Sequence, residues 1–302
     1  WQKKTRPITG WFLDRSPREQ VKLEIMMLEV RMKIKKLMIA LLVMSTLAYA
    51  QEDRQKFSFS IRGSYFIPYS KTFNKQLRPA INSDLGALDS YLKDLGLTSY
   101  LGEMSKMGGA FNFGGEFEVR ASEQVGLALG ADYAFRTLIA SLDSGGTVGL
   151  ISYGITETGK IGLSVIPITA TVRINLPFSK VRAYMGGGLG YYFARYTEKE
   201  SWAWMEGDET VDTGSRKTVA TGDAVLPHAE VGVEYKLSSR VSLIAMVRYP
   251  FGTISSFKIK KASDDPAAVG QKLTFFDSNG VQRDFKWELS GPVLGVNLKI
   301  KI

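Results

Sequence analysis

Few residue patterns in this chain could do chemistry. Gly154-Ile155-Thr156-Glu157-Thr158-Gly159-Lys160 has the spacing of a loop that cradles phosphates with backbone amides. Ile161 stands where that loop needs a magnesium-binding Ser or Thr, and no helical pattern follows, so nucleotide binding is not expected. His228 is the one histidine, with Glu230 two residues on and therefore on the same face of a strand. No serine completes a triad locally, and a histidine bonded at the rim of the fold is the plainer reading. With one His and no Cys, a transition-metal centre is not expected either, and no cofactor is implied. The Gly186-Gly187-Gly188-Leu189-Gly190 run lies inside a strand pattern, where it makes room rather than binding a dinucleotide. What remains is a set of charges at alternate positions: Arg62, Glu116, Glu118, Arg120, Asp132, Arg136, Arg173, Arg182, Glu230, Glu234 and Arg248.

Strands must position those charges. From Ser164 to Tyr196 the sequence reads as two long strands around the turn 177–180. Ile166, Ile168, Ala170, Val172, Ile174 and Leu176 alternate with Pro167, Thr169, Thr171, Arg173 and Asn175. Val181, Ala183, Met185, Leu189, Tyr191 and Phe193 alternate with Arg182, Tyr184 and glycines. A period of two with one greasy and one polar face defines such strands. The pattern recurs over 57–68, 109–120, 125–137, 228–237, 241–251 and 291–302, for eight strands in all.

The connections alternate between long (69–108, 138–163, 197–227, 252–290) and short (121–124, 177–180, 238–240). Antiparallel strands in sequence order place the long loops on one rim and the short turns on the other. Tyr65, Phe111, Phe113, Tyr133, Phe135, Tyr191, Phe193, Tyr196, Tyr249, Phe251 and Trp287 gather toward the long-loop rim, as in an interfacial girdle. The expected fold is an all-β, eight-stranded, antiparallel up-and-down transmembrane barrel, closed because hydrocarbon offers no partner to an open sheet edge. Its polar face turns inward, where the charges pair, and eight strands leave room only for side chains or one small ligand. A soluble barrel with the apolar face inward is the rival arrangement. Leu85, Leu88, Leu92 and Leu95 predict a short helix over 82–96 in the first loop, with Ser83 or Asp84 as N-cap. That helix has three expected positions, over the barrel mouth, on the membrane surface or against a partner. Asp277-Ser278-Asn279-Gly280 predicts a hairpin.

No run of 18 apolar residues exists for a helical span. Met32 to Lys36 is a basic segment, Leu37 to Leu47 is apolar, and Ala48-Tyr49-Ala50 is a small-x-small cleavage site, the three parts of a secretory signal peptide over 32–50. Residues 1–31 precede a complete signal and read as an upstream extension, leaving 51–302 as the barrel domain. The formal charge of +9 belongs largely to the leader. Residues 1–50 hold ten of the 39 Lys/Arg and four of the 30 Asp/Glu, so the remainder has 29 cationic and 26 anionic residues, a net of +3. Nucleic-acid binding is thereby excluded as a reading of the charge.

At Ile-Pro-Ile-Thr-Ala-Thr-Val-Arg (166–173) and Ala-Tyr-Met-Gly-Gly-Gly-Leu-Gly-Tyr-Tyr (183–192), with 230–237 and the final strand, the chain resembles the small outer-membrane β-barrel superfamily that includes the OmpW and OmpA barrel domains. The resemblance covers roughly 57–302 and is architectural rather than catalytic. It implies a bacterial outer-membrane protein with extracellular loops and periplasmic termini, surrounded by lipid and monomeric. It further implies folding by the outer-membrane assembly machinery through the last strand, which ends here in Ile302 instead of an aromatic. Implied roles are non-enzymatic: envelope structure, contact with a surface ligand, or a narrow conduit for small hydrophobic solutes. An outer-membrane enzyme acting on lipid or peptide through His228, or a soluble exported ligand-binding barrel, are the alternatives. N-terminal sequencing of the exported protein is expected to begin at Gln51, one residue after Ala50; a different first residue overturns the cleavage assignment.

Overall fold

The computed structural model describes residues 57–177 and 181–302. The signal segment, its cleavage site at Ala48, Ala50 and Gln51, and the turn residues 178–180 lie outside the described residues. In chain order the strands are β1 (Phe57–Phe66), β2 (Thr98–Gly102), β3 (Ala110–Arg120), β4 (Val125–Val148), β5 (Ile151–Pro177), β6 (Val181–Glu206) and β7 (Glu209–Lys236). They continue as β8 (Val241–Pro250), β9 (Thr253–Ile254), β10 (Lys258–Ala262), β11 (Thr274–Phe276), β12 (Gln282–Asp284), β13 (Trp287–Glu288) and β14 (Val293–Lys301). One α-helix, α1 (Arg78–Asp94), follows a wider π-helical turn at Phe73–Leu77.

Eight of these strands close a ring in the order β1, β3, β4, β5, β6, β7, β8, β14, each antiparallel to its neighbours. The seam joins the two ends of the described chain, from Ser58 opposite Lys301 to Phe66 opposite Val293. Closure leaves no unpaired edge at membrane depth, the condition lipid imposes.

Facing follows the alternation. Ile61, Leu129, Val172, Met185, Val231 and Val296 point outward and are more than a third exposed, while Arg62, Glu116, Arg173 and Lys299 are at most 1% exposed. That excludes the soluble arrangement. The outward apolar band ends at Tyr65, Phe111, Phe113, Tyr133, Phe135, Tyr191, Phe193, Tyr249 and Phe251, with Tyr65 against Phe111 at 5.1 Å and Tyr191 against Phe193 at 4.3 Å between ring centres. Tyr196 and Trp287, expected in this girdle, are instead buried inside at 2% and 4% exposure. Tyr196 has the inward parity of Tyr192, and the segment carrying Trp287 folds over the mouth.

Two of the long loops are not loops. Residues 138–163 and 197–227 continue β4 to β7 as paired ladders up to tight turns near Gly149 and Gly207. The reason is a change of solvent. Above the girdle the outer face meets water, so the greasy residues move to the inner parity: Leu138, Ala140 and Leu142 follow Tyr133 and Phe135, and Ile161, Leu163 and Val165 precede Ile166. The period of two persists while its phase inverts.

The upper ends of β4 to β7 form a wall, whereas β1, β3, β8 and β14 stop near the rim. Helix α1 and the segment 252–290 fill the space. Phe73, Leu77, Leu85 and Leu92 join Leu138, Leu142, Ile161, Leu163, Tyr196, Leu226, Ile254, Phe257, Phe285, Trp287 and Leu289 in one apolar cluster. Of the three positions expected for the helix, it takes the one over the mouth, but it starts earlier than expected. Ser83 and Asp84 lie within it rather than capping it, because Phe73 and Leu77 extend its buried stripe backward. Thr72, at its start, donates through its backbone N–H to Glu288 at 3.1 Å, and Asn82 accepts from the Met104 N–H at 2.8 Å. The β11–β12 hairpin forms around the expected 277–280 turn.

Replacing Leu129 or Val172 by Arg puts a charge on the lipid face, which costs about 2 to 4 kcal/mol at midplane. Neither variant should yield heat-modifiable folded protein in lipid vesicles; wild-type yields would show that these residues do not face lipid.

Candidate functional site

Among the described residues, charge and burial coincide in quantity in the lumen. Its middle layer sets three guanidinium groups, of Arg62, Arg173 and Arg248, against the carboxylates of Glu116, Asp132 and Glu230, and Arg173 also reaches Glu118 of the next layer. Arg62 donates to Asp132 at 2.9 Å and to Glu116 at 2.5 Å. Arg173 bonds Glu230 through Nε at 2.5 Å, Glu118 at 3.0 Å, and Glu116. Arg248 meets Glu230 at 2.9 Å and both Asp132 and Glu116 at 3.4 Å. The layer is electrically neutral, which makes such deep burial of ions tolerable.

Glycines allow these pairs to form across an intervening strand. Arg62 and Asp132 lie on β1 and β4, with Gly114 of β3 between them in register. A β-carbon there would collide with the Asp132 carboxylate. Likewise Arg173 and Glu230 reach each other over Gly186, and Thr171 and His228 over Gly188. A β-carbon on Gly186 would sit 2.8 Å from the Val172 carbonyl oxygen.

Toward the short turns a second layer follows. Glu118 and Glu234 face Lys299 at 2.8 and 3.2 Å, while Arg120, Arg182 and Lys301 approach Glu234 at 3.6, 3.7 and 3.8 Å. Between the middle layer and the apolar plug, a void lined by Asp132, Tyr192, Arg248 and Leu289 measures about 20 Å³, room for about one water. A wider depression of about 840 Å³ opens beside Phe113, Val231, Ala245 and Val296, on the wall that faces lipid.

The structure thus brings together ten of the eleven charges singled out by sequence. Arg136 is the exception: it is exposed and makes no ion pair with the lumen among the described residues. The β3–β4 pairing ends at Ala134 and the β2–β4 pairing begins at Ser141, so the wall is open beside Arg136 and its side chain reaches water. Lys299 and Lys301 complete the set.

His228 is 3% exposed and shares a 2.8 Å hydrogen bond with the Thr171 hydroxyl. Glu230 is held by Arg173 and Arg248 and does not serve the imidazole. No serine bonds His228 among the described residues. Gly154 to Lys160 lies in the β5 ladder opposite Lys199 to Met205, with no cradle for phosphate. Above the membrane, Glu198 is pushed above the ordinary carboxylate range by burial first and then by neighbouring Glu200, against the pull of Arg216. Glu157 shifts the same way through burial and Glu200. These two follow from the inward parity of the extended strands, a signal visible only once the phase inversion is recognised.

A closed, lipid-facing, eight-stranded ring with a filled lumen defines a transmembrane β-barrel. The chain matches the family described as outer membrane protein beta-barrel domain over residues 37–275, and it belongs to that family. It is accordingly a bacterial outer-membrane protein. No curated protein sequence matches it significantly. Among solved structures it is similar to the outer membrane protein OprG from Pseudomonas aeruginosa, at 14% identity over 82% of this chain and 98% of that one, with a TM-score of 0.39. It is also similar to Neisserial surface protein A, at 11% identity over 83% and 100%, TM-score 0.35. Ail of Yersinia pestis matches at 11% identity over 81% and 99%, TM-score 0.30.

Removing the Glu230 carboxylate leaves Arg173 and Arg248 short of a partner, and breaking a buried pair from one side costs about 3 to 5 kcal/mol. Glu230→Ala should therefore unfold at markedly lower denaturant than wild type in a urea titration of the refolded barrel; an unchanged midpoint would deny the layer a structural role.

Proposed function

We propose that this protein is a non-enzymatic envelope barrel that works at its outer surface and passes no solute. The observation that carries the reading is the double closure of the lumen by a neutral ion-pair layer and, above it, an apolar plug made by α1, the 252–290 segment and the inner faces of β4 to β7. A water-filled path would need polar, mobile groups at the mouth, and here the mouth is packed with Phe, Leu and Trp.

In this reading the short turns and both ends of residues 51–302 are periplasmic, and the tall hairpins stand outside the cell, the arrangement usual for such barrels. The hairpins present Trp202, Trp204 and Met205 to a surface partner, and Trp and Met are enriched at the centre of such contacts. The barrel is a monomer in lipid, delivered by the assembly machinery through β14. A narrow conduit for small hydrophobic solutes is disfavoured by the plug. Catalysis at His228 is disfavoured by its burial beneath that plug. In planar bilayers the wild-type protein is expected to give no sustained conductance. Deletion of residues 69–108 should not open it, since the ionic layer stays in place. Long-lived single-channel openings in the wild-type protein would overturn the proposal.

A further inference from the structure

The two ionic layers differ in balance. The middle layer matches three cations with three carboxylates, but the layer at the short-turn mouth sets Lys299, Arg120, Arg182 and Lys301 against only Glu118 and Glu234. Glu118 is moreover shared with Arg173. Two positive charges are thus in surplus, with Lys236 half-buried beside them at the end of β7. The surplus is not left to bulk water. Arg182 is 8% exposed and Lys301 9%.

Donors are idle as well. All four cationic groups converge on the Glu234 carboxylate, and three of them approach no closer than 3.6 Å, beyond hydrogen-bond range. Arg182 Nε and Nη1 and Arg120 Nη2 have no hydrogen-bond partner among the described residues. Glu123, on the exposed β3–β4 turn, also acts on Arg182, but from solvent, where its field is screened within about 10 Å at ordinary salt. A nearly buried guanidinium with unused forked donors is built for an oxyanion that accepts two bonds at once.

We infer that the short-turn mouth of the barrel is an anion site, in which Arg120, Arg182 and Lys301 hold a phosphate group. The phosphate can come from a lipid headgroup of the adjoining leaflet or from a free anion, since the mouth opens at the level where both are present. The site is independent of whatever the opposite, tall rim contacts. Arg120 Nε donates to Glu118 at 3.4 Å, so occupancy neutralises the surplus and supplies the acceptors that Arg120 Nη2 and Arg182 Nε and Nη1 lack.

The test uses the full barrel refolded in a non-ionic, phosphate-free detergent. Inorganic phosphate is titrated against chloride at equal ionic strength and followed by phosphorus NMR. Phosphatidylglycerol is offered in parallel, and its retention is read by native mass spectrometry. Wild-type protein should bind at least one of the two probes; binding of phosphate alone identifies a soluble anion, and retention of the lipid without competition by phosphate identifies a headgroup. Arg182→Gln and Arg120→Gln should each weaken binding about tenfold, the expected loss for a forked charge-assisted contact. Should either variant fail to fold, Lys301→Gln, which lies at the outer margin of the same mouth, should also weaken binding. Absence of binding by wild type to both probes, or equal binding by the folded variants, overturns the site.

Discussion

Lipid cannot hydrogen-bond to a backbone, and the rest of this structure depends on how the chain meets that constraint. The β1–β14 seam joins the first described strand to the last, so the ring closes only once β14 is in place. The closure is long-range by construction. It also fixes the radius: eight strands enclose a space that their own side chains must fill, and the filling here is ionic because the outward face has claimed the aliphatic residues. Opposite charges spread over β1, β3, β4, β5, β7 and β8 then tie non-adjacent strands across the lumen, doing inside the ring what hydrogen bonds do around it.

Fitting such long side chains into a narrow tube requires gaps, and glycine supplies them where two partners must meet over a third strand. Gly114 and Gly186 each stand in register between an arginine and a carboxylate. Glycine lowers intrinsic strand stability, and in this lumen that cost is offset by charge pairs that no adjacent-strand geometry could make. The lumen therefore reads as one assembly, in which missing side chains are as much a part of the design as the charged ones.

Within the bilayer, most of this was legible in the sequence. Alternation of Ile166 to Leu176 against Pro167 to Asn175 sufficed to assign the faces, and inward parity alone grouped Arg62, Glu116, Asp132, Arg173, Glu230 and Arg248. The sequence reading failed above the girdle, for a physical reason: the outer solvent changes from hydrocarbon to water, so the pattern that identified a strand inverts at Phe135, Ile166 and Phe193 and looks like an ending. Its place at the end of an outbound strand puts Tyr196 in the girdle, whereas its parity belongs to the interior. Trp287 and the true start of α1 depend on how 252–290 and Phe73 fold onto the plug, a tertiary matter with no local periodicity. Arg136 shows the converse, a residue of inward parity released by a gap in the neighbouring strand.

The height of the wall is unequal around the ring. Four consecutive strands, β4 to β7, run on for 24 to 28 residues while the adjoining four stop after 9 to 11. At about 3.3 Å per residue the longer ones carry some 40 Å of ladder past the lipid, and they end in turns where Gly149 and Gly207 adopt positive φ. The turn residues Gly149, Leu150 and Gly207 themselves are exposed and take no part in the plug. Lengthening an exposed turn adds only a slowly growing entropic penalty, about 0.6 kcal/mol per doubling. The outermost decoration of the molecule can thus be rewritten by insertion or deletion during evolution while the buried machinery beneath keeps its register.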